Sequence, residues 1–222
     1  CDRAERLISL EHDMFRVCRP GGSLTGTFRI GFVATASVRL LPEFLIRSGR
    51  LAPDAQFDVE TGLSEDLESR VLSGSLDGAI VTGSSAPDPL LSYQTLREER
   101  FVYAAPADYA CQTSDELFTL LPFFLFMPQT GIGKVIAKQI AEPNLKKGKR
   151  IYLDSVEAIM ECVNEGLGFA LLPEPDVQRY IGARARIVET SGTKTSRTLV
   201  FATMNSTELT WQSERILEIL RA

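Results

Sequence analysis

The clearest hydrophobic pattern in the chain runs from Asp154 to Pro173. Val156, Ile159, Met160 and Val163 recur at spacings of three and four, the apolar stripe of a helix. Asp154 or Ser155 can cap it, and Glu157 stands three residues after Asp154, as in a capping box. Gly166 suits the position just past the helix end, where a left-handed backbone is cheap only for glycine. Gly168 keeps the turn tight. Phe169 to Leu172 are apolar without alternation, which predicts a strand covered on both faces, and Pro173 ends it. The stretch reads as a helix laid against a parallel sheet, with a polar binding point at its N-terminus.

The same reading applies along the chain. Residues 2–17 predict an amphipathic helix, and Pro20, Gly21 and Gly22 break it. Thr27 to Val33 is a strand. Arg39 to Ser48 is a helix with Pro42 in its first turn, where the missing N–H does no harm. Ala55 to Thr61 alternates as a strand, Asp66 to Leu72 is a short helix, and Ala79 to Val81 is a buried strand. This β-α-β-α-β order implies parallel strands, with ligands at their carboxyl ends. Those ends are Thr35 to Ser37, Gly62 to Ser64 and Thr82 to Ser84. Leu91 to Leu96 and Phe101 to Ala105 predict two further strands. A second β-α-β-α-β run occupies about 106–173, from the apolar Pro122 to Met127 through a helix over Ile132 to Ala141. Ile187–Val188 and Thr198 to Thr203 predict short strands, and Leu209 to Leu220 a closing helix.

Composition narrows the function classes. The 222 residues suffice for one large or two small domains, and 44% hydrophobic with 24% charged residues is ordinary for a globular protein. A net charge of -5 argues against this chain itself gripping a phosphate backbone. No apolar run reaches the length of a membrane span, and the charged N-terminus has no signal-peptide core. The chain does not begin with Met, which suggests a fragment or processed chain. Cys1, Cys18, Cys111 and Cys162 show no metal-ligand spacing, and His12 is the single histidine. No metal site is expected, and free thiols in a reducing cytoplasm are the simplest reading. Redox sensing by Cys111 and Cys162 is the sharper alternative.

No catalytic constellation emerges. Ser37 sits at a strand-to-helix turn, but in ATASVRL rather than GxSxG, with no base nearby. An N-cap role is its simplest alternative to ligand binding. Gln129 to Lys134 imitates a phosphate loop but lacks its first glycine and has Val135 where a hydroxyl should meet magnesium. What survives is a glycine-rich helix start able to hold a carboxylate, with Thr130 and nearby N–H groups as donors. Glu65, Asp66 and Glu68 read as first-turn carboxylates, and Lys146, Lys147, Lys149 and Arg150 as a solvated loop. No cofactor is expected.

The ordered set LTGTFRIGFVATASVRLLPEFL, GLSEDLESRVLSGSLDGAIV, VYAAPADYA and DSVEAIMECVNEGLGFALLP resembles the effector-binding region of LysR-type transcriptional regulators. The resemblance implies a periplasmic-binding-protein-like α/β fold of type 2: two Rossmann-like lobes joined by two crossing strands. It puts residues 1–20 at the end of a linker helix, 21–102 and 203–222 in lobe I, and 103–202 in lobe II. It implies a small effector, an organic acid by the donor types, held between the lobes by Thr35, Ala36, Ser37, Gly62, Leu63, Ser64, Thr82, Gln129, Thr130, Gly131, Ser155 and Phe169. Arg39 would add charge if turned inward. It further implies a cytoplasmic homodimer or homotetramer, with the helix near 39–48 against one near 155–164, no membrane partner, and promoter DNA contacted only by an N-terminal helix-turn-helix absent from this sequence. A transporter's solute-binding protein is the alternative, and an aromatic-acid dehydratase of similar fold a distant third.

Overall fold

The structure, a computed structural model, describes residues 23–109, 114–140, 148–188, 195–205 and 210–221. The expected leading helix, His12, Cys1, Cys18, Cys111, Lys146 and Lys147 lie outside them. In chain order the elements are β1 (Gly26–Val33), α1 (Ala34–Leu51), β2 (Ala55–Gly62), α2 (Ser64–Leu72), β3 (Gly78–Thr82), β4 (Leu91–Pro106), α3 (Ser114–Leu120), β5 (Phe123–Phe126) and α4 (Gly131–Gln139). They continue with β6 (Arg150–Leu153), α5 (Val156–Asn164), β7 (Phe169–Pro173), α6 (Glu174–Tyr180), β8 (Ala185–Val188), β9 (Ser196–Met204) and α7 (Thr210–Arg221). The chain forms two compact units. Unit 1 takes the residues up to Leu96 and from Val200 on, and unit 2 takes Arg97 to Leu199.

In unit 1 the strands follow the order β2-β1-β3-β9-β4. β1 pairs in parallel with β2, Gly26 against Ala55 through Val33 against Gly62, and with β3, Ile30 against Gly78. The parallel order expected from the β-α-β-α-β pattern is present. A parallel sheet must be covered on both faces. One face carries Phe28, Phe44 and Phe57, with Phe44 edge-on to Phe57 at 4.9 Å between ring centres. The other packs Leu67 and Val71 of α2 on Ala79, Val81, Val200 and Ala202. Gly78, on the face away from α2, leaves room for a neighbour: a Cβ there would stand 2.5 Å from the Phe201 ring.

Unit 2 has the strand order β4-β7-β5-β6, with β8 also on β4. β5 runs parallel to β6 and β7, while β4 is antiparallel to β7 and β8. Its centre is aromatic. Phe123 stacks on Phe169 at 4.7 Å, Phe118 meets both edge-on, and Tyr103 closes the cluster.

The main differences from the sequence reading are these. α1 begins at Ala34 rather than Arg39, so Pro42 is interior to the helix and not in its first turn. α2 begins at Ser64 rather than Asp66. The two expected strands at 91–96 and 101–105 are one sixteen-residue strand, β4. Two seven-residue helices, α3 and α6, were not anticipated; each offers too few apolar positions to show a helical stripe. The units change over at 96/97 and 199/200, several residues before the expected lobe limits of 102/103 and 202/203.

Candidate functional site

The carboxyl ends of β1, β2 and β3 gather the unit 1 candidates. Thr35, Ala36 and Ser37 form the first turn of α1. Its cap residue, Val33, makes no side-chain cap bond, and the first turn holds no acid, so its N–H groups face no carboxylate of their own helix. Ser37 is not a cap; its hydroxyl donates to the Ala34 carbonyl at 2.8 Å. Arg39 is half-buried. Gly62 ends β2, and exposed Leu63 leads into α2. Ser64 and Thr82 come together: the Thr82 N–H donates to Ser64 Oγ at 3.2 Å, leaving the Ser64 proton free to donate elsewhere. Thr82 is only 7% exposed, and its Oγ1 has no hydrogen-bond partner among the described residues. A buried unsatisfied hydroxyl costs stability, which singles this position out.

In unit 2 the candidates sit at helix starts. Gln129 is exposed and Gly131 opens α4. Thr130 caps this helix, accepting from the Gly133 N–H at 2.9 Å. Its own hydroxyl and N–H both donate to the Met127 carbonyl, at 2.7 and 3.1 Å. Both Thr130 donors are thus engaged within the turn. The free positions are the N–H groups that follow it. Gly133 is held for packing, since a Cβ would lie 2.1 Å from the Met127 oxygen. Ser155, rather than Asp154, caps α5 by accepting from the Ala158 N–H at 3.1 Å.

The turn after α5 closes as a Schellman motif. Gly166 has φ +76, its N–H reaches the Val163 carbonyl, and the Leu167 N–H reaches that of Cys162. Gly168 packs closely against its own sheet: a Cβ would be 2.4 Å from the Pro122 oxygen. Phe169 is 0% exposed within the aromatic cluster, so its side chain has no face for an effector. Cys162 is a half-buried free thiol packed against the core.

Sequence reasoning missed two polar clusters. In unit 1 the Tyr93 hydroxyl accepts from the Asp88 N–H, and burial, with Glu68 nearby, pushes its pKa up. In unit 2 a buried guanidinium, Arg197, meets Glu99 and Asp176. Partners separated by 98 positions leave no local signal. On the surface, Arg70 holds the Glu60 carboxyl below its usual range, and Arg100 does the same for Glu174. Among the described residues no cluster of His, Cys, Asp and Glu could hold a metal, and no helix is long and apolar enough to cross a membrane.

Residues 21–222 match the LysR substrate binding domain. The chain belongs to this family. It is 25% identical over 219 residues to the HTH-type transcriptional regulator SoxR of Arthrobacter sp., covering 98% of this chain and 74% of that one. It is 25% identical over 177 residues to the regulator YofA of Bacillus velezensis, covering 80% of this chain and 60% of that one. The chain thus spans only part of its curated relatives. The OxyR regulatory domain of Pseudomonas aeruginosa in its reduced form aligns with a TM-score of 0.75 at 21% identity, covering 90% of this chain and 97% of that one. A Corynebacterium glutamicum OxyR C206 mutant aligns at 0.80 with 19% identity, covering 99% and 71%. The fold is the periplasmic-binding-protein-like one expected, and the family and relatives are transcriptional regulators, not enzymes.

Proposed function

We propose that this LysR substrate-binding domain senses a small carboxylate-bearing effector for a cytoplasmic transcriptional regulator. The observation that carries this reading is the donor set of unit 1. An acid-free first turn in α1 stands with Ser64 and the buried, unpartnered Thr82 hydroxyl at the strands' carboxyl ends. Helix-start N–H groups and hydroxyls suit an anionic oxygen without a metal or cofactor. Gly131 and Ser155 at the starts of α4 and α5 supply the same chemistry in unit 2.

The output is oligomeric. An effector that binds one conformation better than another shifts the assembly, and through it the DNA-reading segments. Homodimer or homotetramer formation rests on the outward face of α1, where Val38, Leu45 and Ile46 are exposed along one side. The outer surface of α5 is the proposed counterpart in a second copy. In this reading promoter contact belongs to a helix-turn-helix segment of the kind that names the HTH-type relatives.

A thermal-shift panel of small carboxylates with their uncharged amides tests the effector class. The expected result is stabilisation by an acid and not by its amide. The hit should weaken at least tenfold in Ser64→Ala, measured as the shift over that variant's own ligand-free Tm, which falls because the Thr82 N–H loses its acceptor. An amide acting as well as the acid, or an unaffected Ser64→Ala, would overturn the reading.

A further inference from the structure

β4 and β9 each belong to both units. β4 changes unit between Leu96 and Arg97, and β9 between Leu199 and Val200. The two strands are neighbours in the sheet. The Phe101 N–H donates to the Thr195 carbonyl and the Asn205 N–H to that of Leu90, so they run antiparallel. Counting from Phe101 and Thr195, Glu99 stands opposite Arg197, Arg97 opposite Leu199 and Leu96 opposite Val200. Both strands therefore change unit at the same level, as one two-stranded ribbon.

Burial along this ribbon is uneven. In unit 1, β9 buries Val200 to Thr203 without a break; in unit 2 it buries Arg197 and Leu199 alone. Between Leu91 and Phe101 the one buried residue of β4 is Glu99. Glu99, Arg197 and Asp176 of α6 are 3%, 2% and 3% exposed. Arg197 Nε donates to Glu99 Oε2 at 2.8 Å, and its Nη2 lies 2.7 Å from the same oxygen and 3.5 Å from Asp176 Oδ2. At the surface Arg100 also ties the first turn of α6 to β4, through Glu174.

A buried ion pair seldom stabilises more than apolar side chains of the same volume, but taking away one partner is costly. Here the partners are anchored in different units. Glu99 and Asp176 are fixed within unit 2, whereas the guanidinium rides on a strand whose longer buried part is packed in unit 1. When unit 1 opens, β9 loosens and withdraws Arg197, and unit 2 is left with two buried carboxylates. We propose that Arg197 is a clasp that makes the stability of unit 2 conditional on unit 1 being folded. Whatever steadies unit 1, a bound effector included, then steadies unit 2 through the same side chain.

The test follows each unit separately through urea in the intact chain. Trp211 on α7, the single tryptophan, reports unit 1 by fluorescence, and amide exchange at Phe123 to Phe126 reports unit 2. Phe44→Leu weakens the core of unit 1 and should lower both midpoints. In the apolar background Glu99→Leu/Asp176→Leu/Arg197→Met no charge can be stranded. There Phe44→Leu should lower the Trp211 midpoint and leave the β5 midpoint within about 0.2 M. Arg197→Met alone keeps the test open if the triple variant does not fold. Its β5 midpoint should fall by about 1 M or more, its Trp211 midpoint much less, and Phe44→Leu should then no longer move β5. A β5 midpoint that ignores Phe44→Leu in the parent, or follows it as far in the altered backgrounds as in the parent, overturns the proposal.

Discussion

Thr130 shows how one side chain can be fully occupied by its own turn. Its oxygen accepts from Gly133 and its proton goes to Met127. Thr130→Ala should cost about 1 kcal/mol in urea unfolding, and Thr130→Ser much less, because serine keeps the cap. Two glycines on either side of Leu167 should respond differently. Gly166→Ala meets nothing within 4 Å and suffers only from its positive φ, about 1 kcal/mol. Gly168→Ala drives a Cβ into the Pro122 carbonyl and should cost about 3 kcal/mol or more, seen as lost soluble yield or a sharp fall in Tm. The sequence showed both glycines to be necessary, but only coordinates separate a conformational need from a steric one. The same holds for Phe169: a buried ring and a ligand-facing ring are the same letter in an apolar run.

Ion pairs at this scale leave a pH signature. Arg100 Nη2 donates to Glu174 Oε1 at 2.7 Å, and the Gln178 amide reaches the same oxygen. A carboxyl whose pKa is lowered on folding adds stability above its unfolded range and loses it as pH falls through the lowered value. Glu174→Gln should be less stable than the parent at pH 7 by under about 1 kcal/mol, the size of an open pair. That gap should close as pH falls below the usual carboxylate range, when urea midpoints are compared across pH.

Among the elements, α1 was legible in kind but not in extent. Its apolar residues predicted a helix, while the small polar run Ala34 to Ser37 looked like a loop. The strand end and helix start are continuous, which moves Pro42 into the interior. There it cannot donate to the carbonyl four residues back and crowds it. Pro42→Ala should raise stability by about 1–3 kcal/mol, measured by urea unfolding. β4 was read as two strands because Arg97 to Arg100, charged throughout, interrupts the apolar pattern. Glu99 turns out to be buried, so polarity was a poor guide to exposure at that point. α3 and α6 were invisible for a simpler reason: each has seven residues and rests on one or two buried apolar side chains.

For the molecule as a whole, alternating strand and helix signals made the two-part α/β architecture readable from sequence. The helix starts and strand ends that carry the candidate site were readable too, because caps and glycines have local rules. What was not readable is every pairing across long separations, from Ser64 with Thr82 to Arg197 with Glu99. Assembly belongs to this scale. Ile46 is 60% exposed on the outer side of α1. Ile46→Glu should leave the fold's circular dichroism intact and shift the mass by light scattering toward the monomer. An unchanged oligomer would remove α1 from the interface.

The strand order of unit 1 also bears on how the chain matures. β9 lies between β3 and β4, although nearly all of unit 2 is made before it. Unit 2 is one uninterrupted stretch of sequence and can collapse as it emerges from the ribosome. Unit 1 must wait with an open slot in the middle of its sheet until β9 is made. Its exposed strand edges during that wait are the chain's main aggregation hazard, so synthesis rate and chaperone supply should govern the yield of active protein more than the final stability does.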